Sequence, residues 1–180
     1  MVSNLNFANA LTVLRLVLVP PFVLLMLLPD DSLGWRNAAL AVFLIAAVSD
    51  WLDGHLARTW SLSTKFGALW DPIADKALTG AAFICLSILG ELWWWVTIVI
   101  LVREIGITLL RIPLDKRGVD VSAGLAGKAK TALQMVALTI FISPRETLLP
   151  LMMGAALFAT VWSGLLYLRD ALPRLREPRP

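Results

Sequence analysis

The sequence predicts an all-α integral membrane protein of six transmembrane helices, on three observations. Only 16% of its 180 residues are charged and 58% are hydrophobic, whereas soluble domains carry about 25% charged residues. With a mean hydropathy of +0.77, the chain has too little polar surface to cover a water-soluble globule. The apolar residues also gather into runs near the ~20 residues that cross a bilayer's hydrocarbon. Connections between the runs are short, so consecutive helices are expected to lie antiparallel in one domain covering residues 1–180.

The runs fall at about 11–28, 37–58, 66–89, 93–112, 124–143 and 147–168. Pro20 and Pro21 predict a kink in the first, since proline removes a helical hydrogen bond and crowds the preceding turn. The third stops at Gly90. Trp93, Trp94 and Trp95 open the fourth and read as an interfacial aromatic belt. Ser143-Pro144-Arg145-Glu146 separates the fifth from the sixth. The first ten residues lack a basic stretch followed by a short apolar one and a cleavage site, so no secretory signal is read there. The single cysteine, Cys85, cannot form an internal disulfide, which argues against redox chemistry.

Basic residues sort by side. The turns after runs one, three and five hold only Arg36 and Arg145. Arg58 and Lys65 follow run two. Arg111, Lys116, Arg117, Lys128 and Lys130 follow run four, and the tail holds Arg169, Arg174, Arg176 and Arg179. The positive-inside rule then puts both termini in the cytoplasm and the protein, multi-pass, in the cell membrane. The basic tail reads as a topology anchor touching anionic lipid. The net charge of +3 is small, and no nucleic-acid partner is expected.

Charges inside apolar runs cost several kcal/mol each and usually mark function. Here they cluster at the end of run two and the start of run three. Asp50 and Asp53 are spaced i,i+3, and Asp71 and Asp75 i,i+4, so each pair shares a helix face. Gly54 and Ala57 continue the first stripe and Gly67 extends the second, and small residues let helices approach closely in lipid. Run two heads toward the cytoplasm and run three away from it, so the four aspartates come to one depth near the cytoplasmic interface.

Four carboxylates so placed repel by several kcal/mol at ~4 Å and intermediate dielectric. Two divalent cations would neutralise them. Carboxylate oxygens suit Mg²⁺ or Mn²⁺ rather than zinc, and two such ions form a clamp for in-line phosphoryl displacement. Arg58 and Lys65 are placed to hold phosphate oxygens that the metals leave free. Two other arrangements use the same residues: salt bridges of Asp50 and Asp53 with Arg58 and of Asp71 and Asp75 with Lys76, or a proton or cation pathway such as a small transporter would have. The first needs fewer acids than are present, and the second leaves the glycines unexplained.

From Asp50 to Asp75 the chain reads D-x2-D-G-x2-A-R-x8-G-x3-D-x3-D, with all eight defining positions filled. This resembles the signature of the CDP-alcohol phosphotransferases. The resemblance implies six membrane helices, two divalent metals, commonly a homodimer, and transfer of a substituted phosphate from a CDP-linked donor to an alcohol with release of CMP. It implies that Asp50, Asp53, Asp71 and Asp75 bind metal. Asp75 would also be the catalytic general base, deprotonating the acceptor hydroxyl that attacks the donor's β-phosphorus. Gly54, Arg58 and Thr64 would contact the CDP moiety, with Thr12 and Arg15 as further donor contacts. Arg15 has a second reading, as a side chain reaching to the interface. His55, at a variable position of the signature, reads as a packed or interfacial residue.

Four further stretches resemble the branch of the family that makes phosphatidylglycerophosphate. They are Asn9-Ala-Leu-Thr12-Val-Leu-Arg15, Asp71-Pro-Ile-Ala-Asp75-Lys76, Arg103-Glu104-Ile105 through Leu110-Arg111, and Gly127-Lys128-Ala-Lys130-Thr131. Ala8 departs from the pattern, where a proline is common. This resemblance implies CDP-diacylglycerol as donor and sn-glycerol 3-phosphate as acceptor. Branches using phosphatidylglycerol or an inositol phosphate share part of the pattern. Glycerol 3-phosphate is a dianion, and Arg103, Arg111, Lys128 and Lys130 are the cations expected to bind its phosphate. For Lys128 and Lys130, plain topology is the other reading. A pair between Arg103 and its neighbour Glu104 is expected to be weak, because adjacent helical residues do not face each other.

Overall fold

The computed structural model describes residues 2–28, 33–60, 65–115, 125–143 and 149–176; within its helices the side chains at 2–11, 33, 50–60, 65–72, 75, 111–113, 115, 125–126, 128, 149–152 and 174–176 lie outside the description. Among the described residues there are six α-helices and no strand: α1 (Val2–Leu27), α2 (Leu33–Trp60), α3 (Lys65–Ile88), α4 (Trp94–Asp115), α5 (Leu125–Ile142) and α6 (Leu149–Arg176). Each corresponds to one predicted run. The largest differences are at the outer ends, where α1 begins at Val2 and α6 continues to Arg176. Hydropathy marks the apolar part of a helix and not its full length. The added turns of α6 are tied down by Ala171, which is fully buried with Leu114 of α4 beside Leu110 and Tyr167. α1 continues through Pro20 and Pro21, both on its exposed side.

The chain divides into two compact units, Met1–Leu92 with Leu138–Glu146, and Trp93–Ala137 with Thr147–Pro180. In the first, α1 packs against both α2 and α3, and α2 also meets α3. Each of the three has a helical stripe of buried residues: Thr12, Arg15, Phe22 and Met26 on α1; Ala39, Phe43 and Ala46 on α2; Ala74, Leu78, Ala82 and Leu86 on α3. The rings of Phe22 and Phe43 meet with centroids 5.9 Å apart and planes tilted by 42°.

One end of this unit is closed by a cap and an arginine clamp. α3 stops where Gly90 takes φ 75°, a left-handed conformation that glycine adopts without Cβ strain. Gly90 N–H then donates to Ser87 O (3.2 Å) and Glu91 N–H to Leu86 O (3.0 Å), satisfying carbonyls that the helix end leaves without partners. Arg36, in the first turn of α2, donates from Nε to Ile142 O (3.0 Å) and from Nη2 to Phe141 O (2.8 Å). Its Nη1 reaches Glu91 Oε1 at 2.7 Å, and Nη2 pairs with Glu91 Oε2. The start of α2 therefore lies beside the end of α3, so the two helices run antiparallel.

In the second unit α4 packs against α6. Gln134 of α5 donates from Nε2 to Thr160 Oγ1 of α6 at 3.0 Å. Among the described residues, no helix is long and apolar enough to cross a membrane. The description of α1 side chains begins at Thr12, and that of α2 ends at Ser49.

Candidate active site

The predicted aspartate positions lie on two helices of the first unit. Asp50 and Asp53 lie on α2 and Asp71 and Asp75 on α3; their side chains fall outside the description. Helical register carries the placement. Positions 50 and 53 continue the stripe of Ala39, Phe43 and Ala46, and positions 71 and 75 precede Leu78, Ala82 and Leu86 on theirs. These are the stripes buried within the unit. From Arg36 to position 50 is about 21 Å at 1.5 Å per residue, so the clamp and the aspartate positions occupy opposite ends.

α1 adds two polar residues to that end. Thr12 is 1% exposed and Arg15 2%. The Phe22–Phe43 contact sets the register. Seven residues toward the start of α1 is Arg15, and seven toward the end of α2 is position 50. Because a short link joins the two helices as antiparallel neighbours, these positions come to the same level. Arg15 is thus buried and does not reach out to an interface, which corrects that alternative. A buried guanidinium is costly without compensating charge, and α1 contacts both helices that carry the aspartates.

Gly54 and Arg58 lie on α2 with their side chains outside the description, and Thr64 lies outside the described residues altogether. Arg111 and Lys128 lie on α4 and α5, again with side chains not described. Among the described residues no group of three or more His, Cys, Asp or Glu could hold a metal ion. The donor set that the sequence offers, four carboxylates at helical spacing, is chemically suited to Mg²⁺ or Mn²⁺.

The second unit holds a distinct polar cluster of Arg103, Glu104, Lys130 and Ser163. Arg103 Nη1 donates to Glu104 Oε1 at 3.0 Å, and Lys130 Nζ donates to the same oxygen at 2.6 Å. Arg103 Nη2 donates to Ser163 Oγ at 2.9 Å. The side chains of Arg103, Glu104 and Lys130 are 16%, 16% and 8% exposed. Two of the four predicted acceptor cations are therefore brought together. The neighbour pair Arg103–Glu104, expected to be weak, does form. A long arginine side chain can fold back along the helix, and Lys130 from α5 completes the arrangement.

The family model described as CDP-alcohol phosphatidyltransferase matches residues 5–162, most of the chain and all of the Asp50–Asp75 signature. The chain belongs to the CDP-alcohol phosphatidyltransferase family. A probable phosphatidylglycerophosphate synthase of Mycobacterium tuberculosis is 45% identical over 172 residues, covering 93% of this chain and 82% of that protein. A CDP-diacylglycerol–glycerol-3-phosphate 3-phosphatidyltransferase of Escherichia coli strain K12 is 41% identical over 180 residues, covering 92% of this chain and 94% of that protein. A Shigella flexneri protein of the same name is similar to the same extent. Family membership agrees with the resemblance read from the signature.

Sequence reasoning about this family member passed over Ser163 and Gly164, because α6 carries none of the family-like stretches. The available signal was polar: Thr160 and Ser163 are both buried within an apolar helix, and buried hydroxyls need partners.

Proposed function

We propose that this protein is a phosphatidylglycerophosphate synthase, transferring the phosphatidyl group from CDP-diacylglycerol to sn-glycerol 3-phosphate with release of CMP. The observation that carries this reading is identity of 41–45% over more than nine-tenths of the chain to proteins bearing that activity in their names. Asp75 takes the proton from the acceptor hydroxyl, which attacks the donor's β-phosphorus as the bond to CMP breaks. Asp50, Asp53, Asp71 and Asp75 are the residues that would hold two Mg²⁺ or Mn²⁺ ions, which when bound supply charge neutralisation and a clamp on phosphate oxygens. Gly54, Arg58, Thr64, Thr12 and Arg15 contact the donor, and the burial of Thr12 and Arg15 at the level of the aspartates supports their share. Arg103, Arg111, Lys128 and Lys130 bind the acceptor's phosphate.

In this reading the chain is an integral protein of the cell membrane with its active site facing the cytoplasm, and it works as a homodimer. Composition supports the membrane location, as does the apolar outer surface of the helices. Val17, Leu24, Val102, Leu109, Phe158 and Leu165 are each about 60% exposed or more, where lipid would cover them.

An acceptor panel tests the proposal. Purified protein in detergent with Mg²⁺ and CDP-diacylglycerol is expected to release CMP on addition of sn-glycerol 3-phosphate. Release with phosphatidylglycerol or inositol phosphate instead would move the protein to another branch of the family. No release with any of them would defeat the enzyme reading.

A further inference from the structure

We infer that Ser163 and Gly164 of α6, acting with Glu104, are positioning residues that aim Arg103 at the acceptor's phosphate, an inference that rests on the acceptor reading above. The geometry of the second unit carries it. Among the described residues Arg103 makes two hydrogen bonds, from Nη1 to Glu104 and from Nη2 to Ser163 Oγ. Its Nε is buried with no hydrogen-bond partner among the described residues. A guanidinium that leaves a donor unsatisfied is oriented by its other contacts, since an unmet buried donor is unfavourable.

Ser163 is itself held. Its hydroxyl donates to Thr160 O at 3.1 Å, which leaves the oxygen's lone pairs for Arg103. Thr160 in turn donates to Ala156 O at 2.6 Å and accepts from Gln134. The serine is thus the end of a hydrogen-bonded series that joins α5 and α6.

Gly164 provides the room. A Cβ there would lie 3.2 Å from Arg103 Cγ and 3.3 Å from Nε, so the arginine stem rests directly on the glycine and an added methyl would make it shift by a few tenths of an ångström. Glu104 completes the arrangement by drawing Lys130 to the oxygen that also accepts from Arg103. Two cations that would otherwise repel are held side by side. With one carboxylate against them, the cluster keeps a net positive charge for a phosphate dianion.

The test is steady-state CMP release by the full-length protein in detergent, varying sn-glycerol 3-phosphate and CDP-diacylglycerol in turn. Ser163→Ala is expected to raise the acceptor KM about tenfold, the scale of one hydrogen bond to a charged group, and Gly164→Ala to raise it severalfold by displacing the arginine stem, each leaving the donor KM within about twofold. Ser163→Thr, which retains the hydroxyl, should recover most of the acceptor affinity. A purely structural role would shift both KM values together, and that result overturns the inference. If Ser163→Ala does not fold, Gly164→Ala decides, because it removes no hydrogen bond. Arg103→Ala separates the two levels. If it leaves the acceptor KM unchanged, the acceptor-phosphate reading fails. If it raises the acceptor KM while both α6 variants leave it alone, only the positioning role of α6 fails.

Discussion

Replacing Arg36 by methionine should loosen the first unit without touching its chemistry. Methionine keeps much of the apolar stem, so the change isolates the guanidinium. Two hydrogen bonds to main-chain carbonyls disappear, those to Phe141 and Ile142. Both residues are buried, at 6% and 0% exposure, and the final carbonyls of α5 have no helical donors of their own. A hydrogen bond to a charged group is worth about 1.5 kcal/mol at the low end of its range, so the pair contributes about 3 kcal/mol. The Glu91 ion pair adds little. Glu91 is 37% exposed, and exposed pairs are worth about 0–1 kcal/mol. For a chain of this size each kcal/mol moves Tm by roughly 2–4 °C, so Tm should fall by about 6–12 °C. The single cysteine provides the assay. Cys85 is 2% exposed on α3, and a thiol-reactive fluorogenic dye reports its release on heating. Arg36→Lys, with a point charge in place of a fork, should recover only part of the loss. Turnover well below the melting temperature should survive, since the aspartate positions lie at the other end of the helices. A Tm within about 2 °C of the parent would refute the assignment of the clamp as the fastening of α5 to this unit.

Three other outcomes are expected. Asp75→Asn should abolish CMP release while retaining part of the Mn²⁺ binding measured by electron paramagnetic resonance; near-parental turnover would remove Asp75 as general base. Chelation of divalent ions should stop CMP release, with recovery on adding Mg²⁺ or Mn²⁺ but not Ca²⁺ at equal concentration, since Ca²⁺ takes longer and less regular coordination; activity that persists after exhaustive chelation would rule out the metal requirement. Gly90→Ala should cost about 1 kcal/mol by straining the left-handed residue that ends α3, seen as a Tm drop of roughly 2–4 °C, and an unchanged melt would mean the turn is not under that constraint.

Much of the architecture was legible before any tertiary contact was known, because the relevant signals are local. All six apolar runs became helices, since an apolar run of that length has its backbone hydrogen bonds met most simply within itself, even where Pro20 and Pro21 interrupt the first. Gly90 ended α3 where expected. The limits were local too: hydropathy tracks side-chain polarity, so it missed the polar opening turns of α1 and the last turns of α6, which Ala171 holds through Leu114. At the candidate site, the i,i+3 and i,i+4 spacings of the aspartates were enough to place each pair on one helix face.

The sequence by itself determined the six helices, the two aspartate pairs and the family, because each rests on spacing within one or two adjacent segments. The tertiary structure decided what the long cationic side chains do. Arg36 reaches carbonyls 105 and 106 residues away. Arg15 is buried on α1, and Arg103 is held by a serine 60 residues on. An arginine has several rotatable bonds and five donors, so its sequence neighbours constrain it little, and its partner is set by which helix is packed alongside.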